Sequence, residues 1–422
     1  MSLLDKCYLY NYPDTLKEKG IYPYFKSVED SEGSVVQMGG KKIIMAGSNN
    51  YLGLSYHPLV KEASIKAIEK YGTSCSGSRF MTGTTDLHEE MEEKIARFMG
   101  KEAALLFSSG FQTAQGIIYP MVSRGDVILS DRDNHASIVV GNSMTASLNI
   151  PTIRYHHNNM EDLERKLEKL PLAQNKLIVT DGVFSTLGTV TSLDEITKLA
   201  KTYNANVIVD DAHGFGVIGN GGKGTAHSFG VQDDVDLIMS PLSKSLASVG
   251  GFVVGEERVI NYLKHKSPAL MFSTSPAPAS VAAALAALAV LKENPMLPKH
   301  VTNNANKVRE GLKQAGFTVI DGASAIVPVI IGDNDTTFKF WKALYEKNIF
   351  VNAFVSPGVS EGLQMLRLSF MATHNDDHLD YIIDIFIKVG KKLGLISAAT
   401  TDASQVKVAL DFPLEFGRKK LA

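Results

Sequence analysis

Two short apolar runs, each ending abruptly in a charged or turn-forming segment, constrain this chain more than any other feature. Residues 207–219 read VIVDDAHGFGVIG, and residues 234–251 read DVDLIMSPLSKSLASVGG. The runs at 207–209 and 237–239 have the length and bulk of buried strands. Asp210 ends the first, and Lys244 follows 34 residues later inside a Ser/Gly-rich turn after the second. An acid and a lysine at successive strand ends suit pyridoxal phosphate. The lysine forms a Schiff base with the aldehyde, and the carboxylate keeps the pyridine nitrogen protonated so that the ring accepts electrons. Singly, a strand-end Asp reads as a cap and a lone Lys as a solvated charge; the spacing of the pair gives them meaning.

The surrounding pattern extends the strand reading. Runs at 103–107, 127–129 and 177–179 are further strands, each followed by turn or glycine chemistry, with helices predicted over 58–71 and 87–99. Alternation of this kind implies an α/β fold with a mostly parallel central sheet flanked by helices. Beyond about residue 292 the pattern changes. Helices near 307–315, 336–347 and 376–393, with strands at 326–331, in IFVNAFV and in MLRLSF, predict a smaller C-terminal α+β domain. The expected organisation is an N-terminal segment (1–45), a large cofactor-binding domain (46–292), a small domain (293–396) and a tail (397–422) ending in basic residues.

Composition sets limits. The chain has 422 residues, 43 basic against 45 acidic, so no electrostatic footprint for nucleic acid is visible. Cys7 and Cys75 are too few and too isolated for a disulfide framework or a metal site, which points to a reducing, cytoplasmic compartment. The Ala-rich stretch 280–291 is too short to span a bilayer and reads as a buried helix. At the N-terminus, Leu3, Leu4, Leu9, Tyr12 and Leu16 fall on one helical face. That face packs on the body of the protein or on a partner subunit, or else it touches a membrane.

Chemistry alone suggests further contacts. FSSGFQT (107–113) passes from a strand into a helix, so its N–H groups and hydroxyls suit a phosphate. DNHASI (133–138) places His135 just after a strand, where an imidazole stacks on a cofactor ring.

These segments, with GSNNYLGL (47–54), GSRFMTGT (77–84), DGVFS (181–185), FSTSPAPAS (272–280) and LRLSFMATH (366–374), resemble the α-oxoamine synthases from about residue 20 to 395. GIYPYF, HNNMEDLE and FVNAFVSPGV resemble the soluble bacterial serine palmitoyltransferase branch. The resemblance implies a fold-type-I pyridoxal phosphate transferase, acting as a homodimer with active sites shared across the interface. Its substrates would be an amino acid and an acyl thioester, carried on coenzyme A or acyl carrier protein.

Residue roles carry over on the same basis. Lys244 would hold the cofactor and then act as base, with Asp210 at the pyridine nitrogen, His213 at the phenolic oxygen and His135 on the ring face. Ser109, Gly110, Phe111 and Ser243 would bind phosphate, Ser273 would reach it from the neighbouring subunit, and Ser185 would contact the cofactor. Asn50 and Arg367 would hold the substrate carboxylate, with Arg79 and Thr82 near the substrate. Arg367 as a strand arginine in a salt bridge and Arg79 as an interface salt bridge remain alternatives, and Asp211 reads as a packing residue.

Two departures stand out. Pro241 occupies the position where a phosphate-contacting Thr is expected, with Ser240 as its compensation. MTGT also replaces LNGT at 81–84, which loosens the expectation of serine. Serine with a long-chain acyl group leads, giving a 3-ketosphinganine for sphingolipid biosynthesis. Cysteate for sulfonolipids follows, then alanine with a pimeloyl group and glycine with an acetyl group. A non-catalytic partner subunit is the contrasting class.

Overall fold

The computed structural model describes residues 2–397; the predicted tail lies almost wholly outside them. Three strands come first: β1 (Asp30–Ser31), β2 (Val35–Met38) and β3 (Lys41–Met45). Seven more build the large sheet: β4 (Ala103–Phe107), β5 (Val127–Asp131), β6 (Thr152–Tyr155), β7 (Lys176–Asp181), β8 (Ala205–Asp210), β9 (Leu237–Pro241) and β10 (Gly251–Gly255). The last four are β11 (Ile326–Ile330), β12 (Ile349–Phe350), β13 (Asn352–Phe354) and β14 (Met365–Ser369).

The large sheet has the order β4-β10-β9-β8-β7-β5-β6. Pairing is parallel from β9 to β6, and β10 alone runs antiparallel, between β4 and β9. β5, β7, β9 and β10 are buried along their whole length. Helices cover both faces of such a sheet, which is why its strands read as continuous apolar runs rather than alternating ones. The helix Pro58–Tyr71 has the predicted bounds, opened by Pro58 at its first position. Ser64 Oγ donates to Ala279 O at 2.9 Å, tying it to the Ala-rich helix Pro278–Glu293, whose Val281, Ala284, Ala287 and Leu291 are fully buried.

The predicted C-terminal elements are all present, the first helix being longer than expected at Leu297–Gln314. Their core gathers Phe338, Phe340, Trp341 and Phe386, and Leu16 and Ile21 from the N-terminal segment join it. β12 pairs in parallel with β3, matching Ile349 to Ile44, so the N-terminal strands and a strand of the C-terminal region share one sheet. The expected N-terminal apolar face forms only in part. The segment makes two short helices, Asp5–Tyr8 and Tyr12–Glu18; Leu16 in the second is buried, while Leu3, Leu4 and Leu9, which flank the first, are exposed.

In an open parallel sheet, ligands sit in the crevice beyond the carboxyl ends of the strands. Here those ends present Asp181 from β7, Asp210 from β8, His135 just after β5 and Lys244 just after β9.

Candidate active site

A cavity of about 670 Å³ opens there, walled on one side by His135, Ser185, His213 and Lys244 and on the other by residues 350–355 and Arg367 of the small lobe. Asp210 and Asp181 are side by side in the parallel register of β7 and β8, and both are buried. Among the described residues, Asp210 accepts a single hydrogen bond, from Ala212 N at 3.1 Å. Asp181 Oδ2 accepts from His135 N at 3.1 Å, and its Oδ1 is buried without a partner. Burial pushes both carboxyls above the ordinary range; next, Lys244 counters this for Asp210, while the neighbouring Asp210 raises Asp181 further. Two carboxylates this close, and this dry, call for a cationic partner.

Burial also lowers the Lys244 amine to about 8, against the opposing pull of Asp210 and Asp181. Its Nζ donates to His213 Nε2 at 2.8 Å, which leaves the His213 proton on Nδ1, facing the Tyr51 hydroxyl at 2.5 Å. Burial, then Lys244, holds His213 well below the usual imidazole range. Tyr51 in turn donates to Asn49 Oδ1 at 3.3 Å. The same oxygen accepts from Arg367 Nη1 and Nη2 at 3.2 and 3.3 Å. A continuous hydrogen-bonded chain therefore joins the lysine to the arginine.

Arg367, on β14, is 3% exposed. Its Nε donates to Ser185 O at 2.6 Å and its Nη1 to Ser369 Oγ at 2.8 Å. All these acceptors are neutral, and no carboxylate pairs with it among the described residues. A buried guanidinium without a counter-ion is poised for an anion entering the cavity.

His135 caps the helix Ala136–Met144, Nδ1 accepting from Ser137 N at 3.2 Å; burial lowers its proton affinity although Asp210 pulls the other way. Asn134 fixes the turn that carries it, donating to Ser130 Oγ and Val179 O and accepting from Asp181 N. Asp211 fills the turn beneath. It accepts from Thr225 N at 2.8 Å and from Thr225 Oγ1 at 2.6 Å, and a Cβ at Gly214 or Gly224 would run into its carboxylate.

Several expected residues lie elsewhere. Asn50 turns its amide to Ser55 Oγ at 2.7 Å, and Asn49, one residue earlier, is the amide that meets Arg367. Arg79 does not line the cavity. It forms a buried pair with Glu92 at 2.7 and 3.1 Å, and Glu92 also accepts from Leu106 N, so the pair locks the 77–84 loop to β4. Thr82 is exposed and Ser273 half-buried, and neither lines the cavity of its own chain. Ser109 caps the helix Gly110–Met121 through Gln112 N at 3.2 Å, leaving the first-turn N–H groups of Gly110 and Phe111 without intrahelical acceptors. Ser243 is exposed on the neighbouring loop. Pro241 packs against this helix start so closely that a Cβ on Gly110 would sit 2.6 Å from its ring. It shapes the cradle by contact where a Thr would act by hydrogen bond. Tyr51, Asn49, Asn134 and Asp181 were not singled out by sequence, although each lies in or beside a quoted motif.

This donor set fits pyridoxal phosphate: a lysine amine near 8, a buried carboxylate lacking a cation, an orphaned Asp181 oxygen, and a glycine-lined helix start. Residues 41–386 match the family model for aminotransferase class I and II. The chain is 45% identical over 383 residues to the serine palmitoyltransferase of Sphingobacterium spiritivorum, covering 91% of this chain and 95% of that protein. It is 40% identical over 383 residues to the 8-amino-7-oxononanoate synthase of Geobacter sulfurreducens, covering 90% and 97%. The solved serine palmitoyltransferase of S. paucimobilis with a bound PLP–myriocin aldimine matches it with a TM-score of 0.90 at 31% identity, over 94% of this chain and 100% of that chain. The chain accordingly belongs to the aminotransferase class I and II family, within its α-oxoamine synthase branch and close to serine palmitoyltransferase, and is a pyridoxal phosphate-dependent acyltransferase.

Proposed function

We propose that the protein condenses serine with a long-chain acyl thioester, with loss of carbon dioxide, to give a 3-ketosphinganine-type aminoketone. The observation that carries this reading is the uncompensated Arg367 facing Lys244 across one cavity, in a chain whose relatives at 40–45% identity include serine palmitoyltransferases. When bound, pyridoxal phosphate supplies an electron sink for a carbanion at the amino acid Cα. Asp210 would hold a proton at the ring nitrogen, and His135 would stack on the ring face. The N–H groups of Gly110 and Phe111, with Ser243, would hold the phosphate. Lys244, half unprotonated near pH 8, removes the Cα proton. Arg367 grips the carboxylate until it leaves, and Asn49 holds the guanidinium in place. An apolar recess formed by Phe184, Leu187, Val359, Leu363 and Met365 adjoins the cavity, sharing Arg132 and Thr186 with it, and offers the acyl group a dry wall.

The protein acts as a cytoplasmic homodimer in this reading. Phe272, Met81, Val249 and Phe111 are 85%, 75%, 63% and 47% exposed, and three of them lie on segments that hydrogen bond to one another near the phosphate cradle. A second copy covering them brings Ser273 and Thr82 to its site. Among the described residues no single helix is long and apolar enough to cross a membrane. The relatives named 8-amino-7-oxononanoate synthase favour alanine with a pimeloyl thioester as the second reading. Serine, cysteate, alanine and glycine, each offered with palmitoyl and pimeloyl thioesters, separate the cases by product mass. The serine–palmitoyl product is expected to dominate, and a dominant alanine–pimeloyl product would replace the proposal with the second reading.

A further inference from the structure

The catalytic cavity has a cationic rim that neither the cofactor nor the amino acid uses. Arg154, on the edge strand β6, lines the same cavity as Lys244, yet is exposed and has no ion pair or side-chain hydrogen bond among the described residues. Arg132 lines it too. Its backbone N donates to Tyr155 O at 3.0 Å, and Arg154 pairs with Ser130, two residues before Arg132, so both arginines belong to the same end of the β5–β6 pairing. The Arg132 guanidinium meets His156 Nδ1 at 3.4 Å and Asp133 Oδ1 at 3.2 Å. Among the described residues, Asp133 is the one carboxylate lining the cavity wall, and it is already engaged by Arg132, with His157 Nδ1 at 3.8 Å from its other oxygen. The rim therefore keeps a net positive charge, centred on Arg154, at the end of a cavity whose floor holds the reacting lysine.

Resting on the proposed acyl-thioester chemistry, we infer that Arg154, supported by Arg132 and His156, binds the phosphate of the pantetheine arm that carries the acyl group. That arm is common to coenzyme A and to acyl carrier protein. Its thioester end must reach Lys244 while its anionic end stays in water, and a guanidinium at the rim meets this requirement by forked hydrogen bonding to phosphate. A partly exposed charge acts mainly on capture of the incoming anion and its salt dependence.

The test compares wild type, Arg154→Glu and Arg154→Lys with four palmitoyl carriers: coenzyme A, acyl carrier protein, 4′-phosphopantetheine and uncharged pantetheine. Arg258→Glu, the same charge change on an exposed helix elsewhere, controls for the overall field. Arg154→Glu is expected to raise KM about tenfold or more for the three phosphate-bearing thioesters. KM for serine and for palmitoyl-pantetheine should stay in place, and Arg154→Lys should recover part of the loss. Titration of free coenzyme A and of 4′-phosphopantetheine into the holoenzyme should show the same weakening without turnover. Equal losses for pantetheine, no loss at all, or a loss confined to coenzyme A would overturn the inference. If wild type makes no product from any palmitoyl carrier, the proposed reaction fails, and the coenzyme A titration still decides the role of the rim.

Discussion

Replacing Arg367 with Ala separates a substrate-binding guanidinium from a merely structural one. The side chain is buried, spreads its donors over Ser185 O, Asn49 Oδ1 and Ser369 Oγ, and has no anionic partner among the described residues. Two effects follow. Removing a charge-assisted fork to the substrate carboxylate should weaken amino-acid binding by about 1.5–3 kcal/mol, roughly tenfold to over a hundredfold. Ser185 O and Ser369 Oγ lose the guanidinium as donor, while Asn49 Oδ1 keeps its hydrogen bond from Tyr51; each acceptor left unpaired where water does not reach costs about 1–3 kcal/mol, partly offset because a buried charge disappears. Titration of the cofactor-loaded variant with serine, cysteate, alanine and glycine measures the first effect, and denaturant unfolding measures the second. The loss of affinity should be shared by every amino acid, with cofactor retained, and Arg367→Lys should recover only part of it because an ammonium lacks the fork. Unchanged affinity in a folded variant would reduce Arg367 to a strand residue, and a loss confined to one amino acid would place it beside the substrate side chain.

Lys244 should titrate unusually low. Labelling of the cofactor-free protein with a small acylating reagent, followed by mass spectrometry of its peptide, should show a midpoint near pH 8, and a midpoint near the ordinary lysine value of about 10.4 refutes the burial argument. Because the folded value lies below the unfolded one, its contribution to stability is complete above about pH 10.4 and is lost as pH falls through about 8, a change of the order of 3 kcal/mol. Asp210→Asn should keep the fold and the cavity but lose at least about a hundredfold in turnover, about 2.7 kcal/mol. Near-normal turnover would mean that another group supplies the charge. Arg79→Ala should cost about 3–5 kcal/mol in unfolding free energy by stranding Glu92, while KM for the amino acid stays in place; the reverse pattern would return Arg79 to the substrate.

Much of the large sheet was legible because strands buried on both faces leave uninterrupted apolar runs, as in LIMSP and KLIVTD. β6 and β10 escaped notice for local reasons. TIRY sits at an edge and alternates in exposure, and GFVVG is framed by glycines that also signal turns. The N-terminal helical face misled because periodicity records which residues share a face, not whether a partner surface meets that face within one chain. Lys244, Asp210, His135 and His213 could be found from motif and strand-end position. Asn49 could not be told from Asn50, since adjacent residues on a turn point in opposite directions and only the tertiary path decides which meets Arg367. Arg79 paired with Glu92 across a turn and two helical turns, a relation outside any local period. Asp181 did carry a signal. It closes an apolar run as Asp210 does, and the parallel register sets the two side by side.

Simultaneous measurement of carbon dioxide and free thiol released from serine and palmitoyl-coenzyme A, with Lys244→Ala alongside, tests the reaction most directly. One carbon dioxide per thiol is expected, with release that requires both substrates and neither product from the variant. Amino transfer to an oxoacid without carbon dioxide, or thiol release that ignores the amino acid, would contradict it.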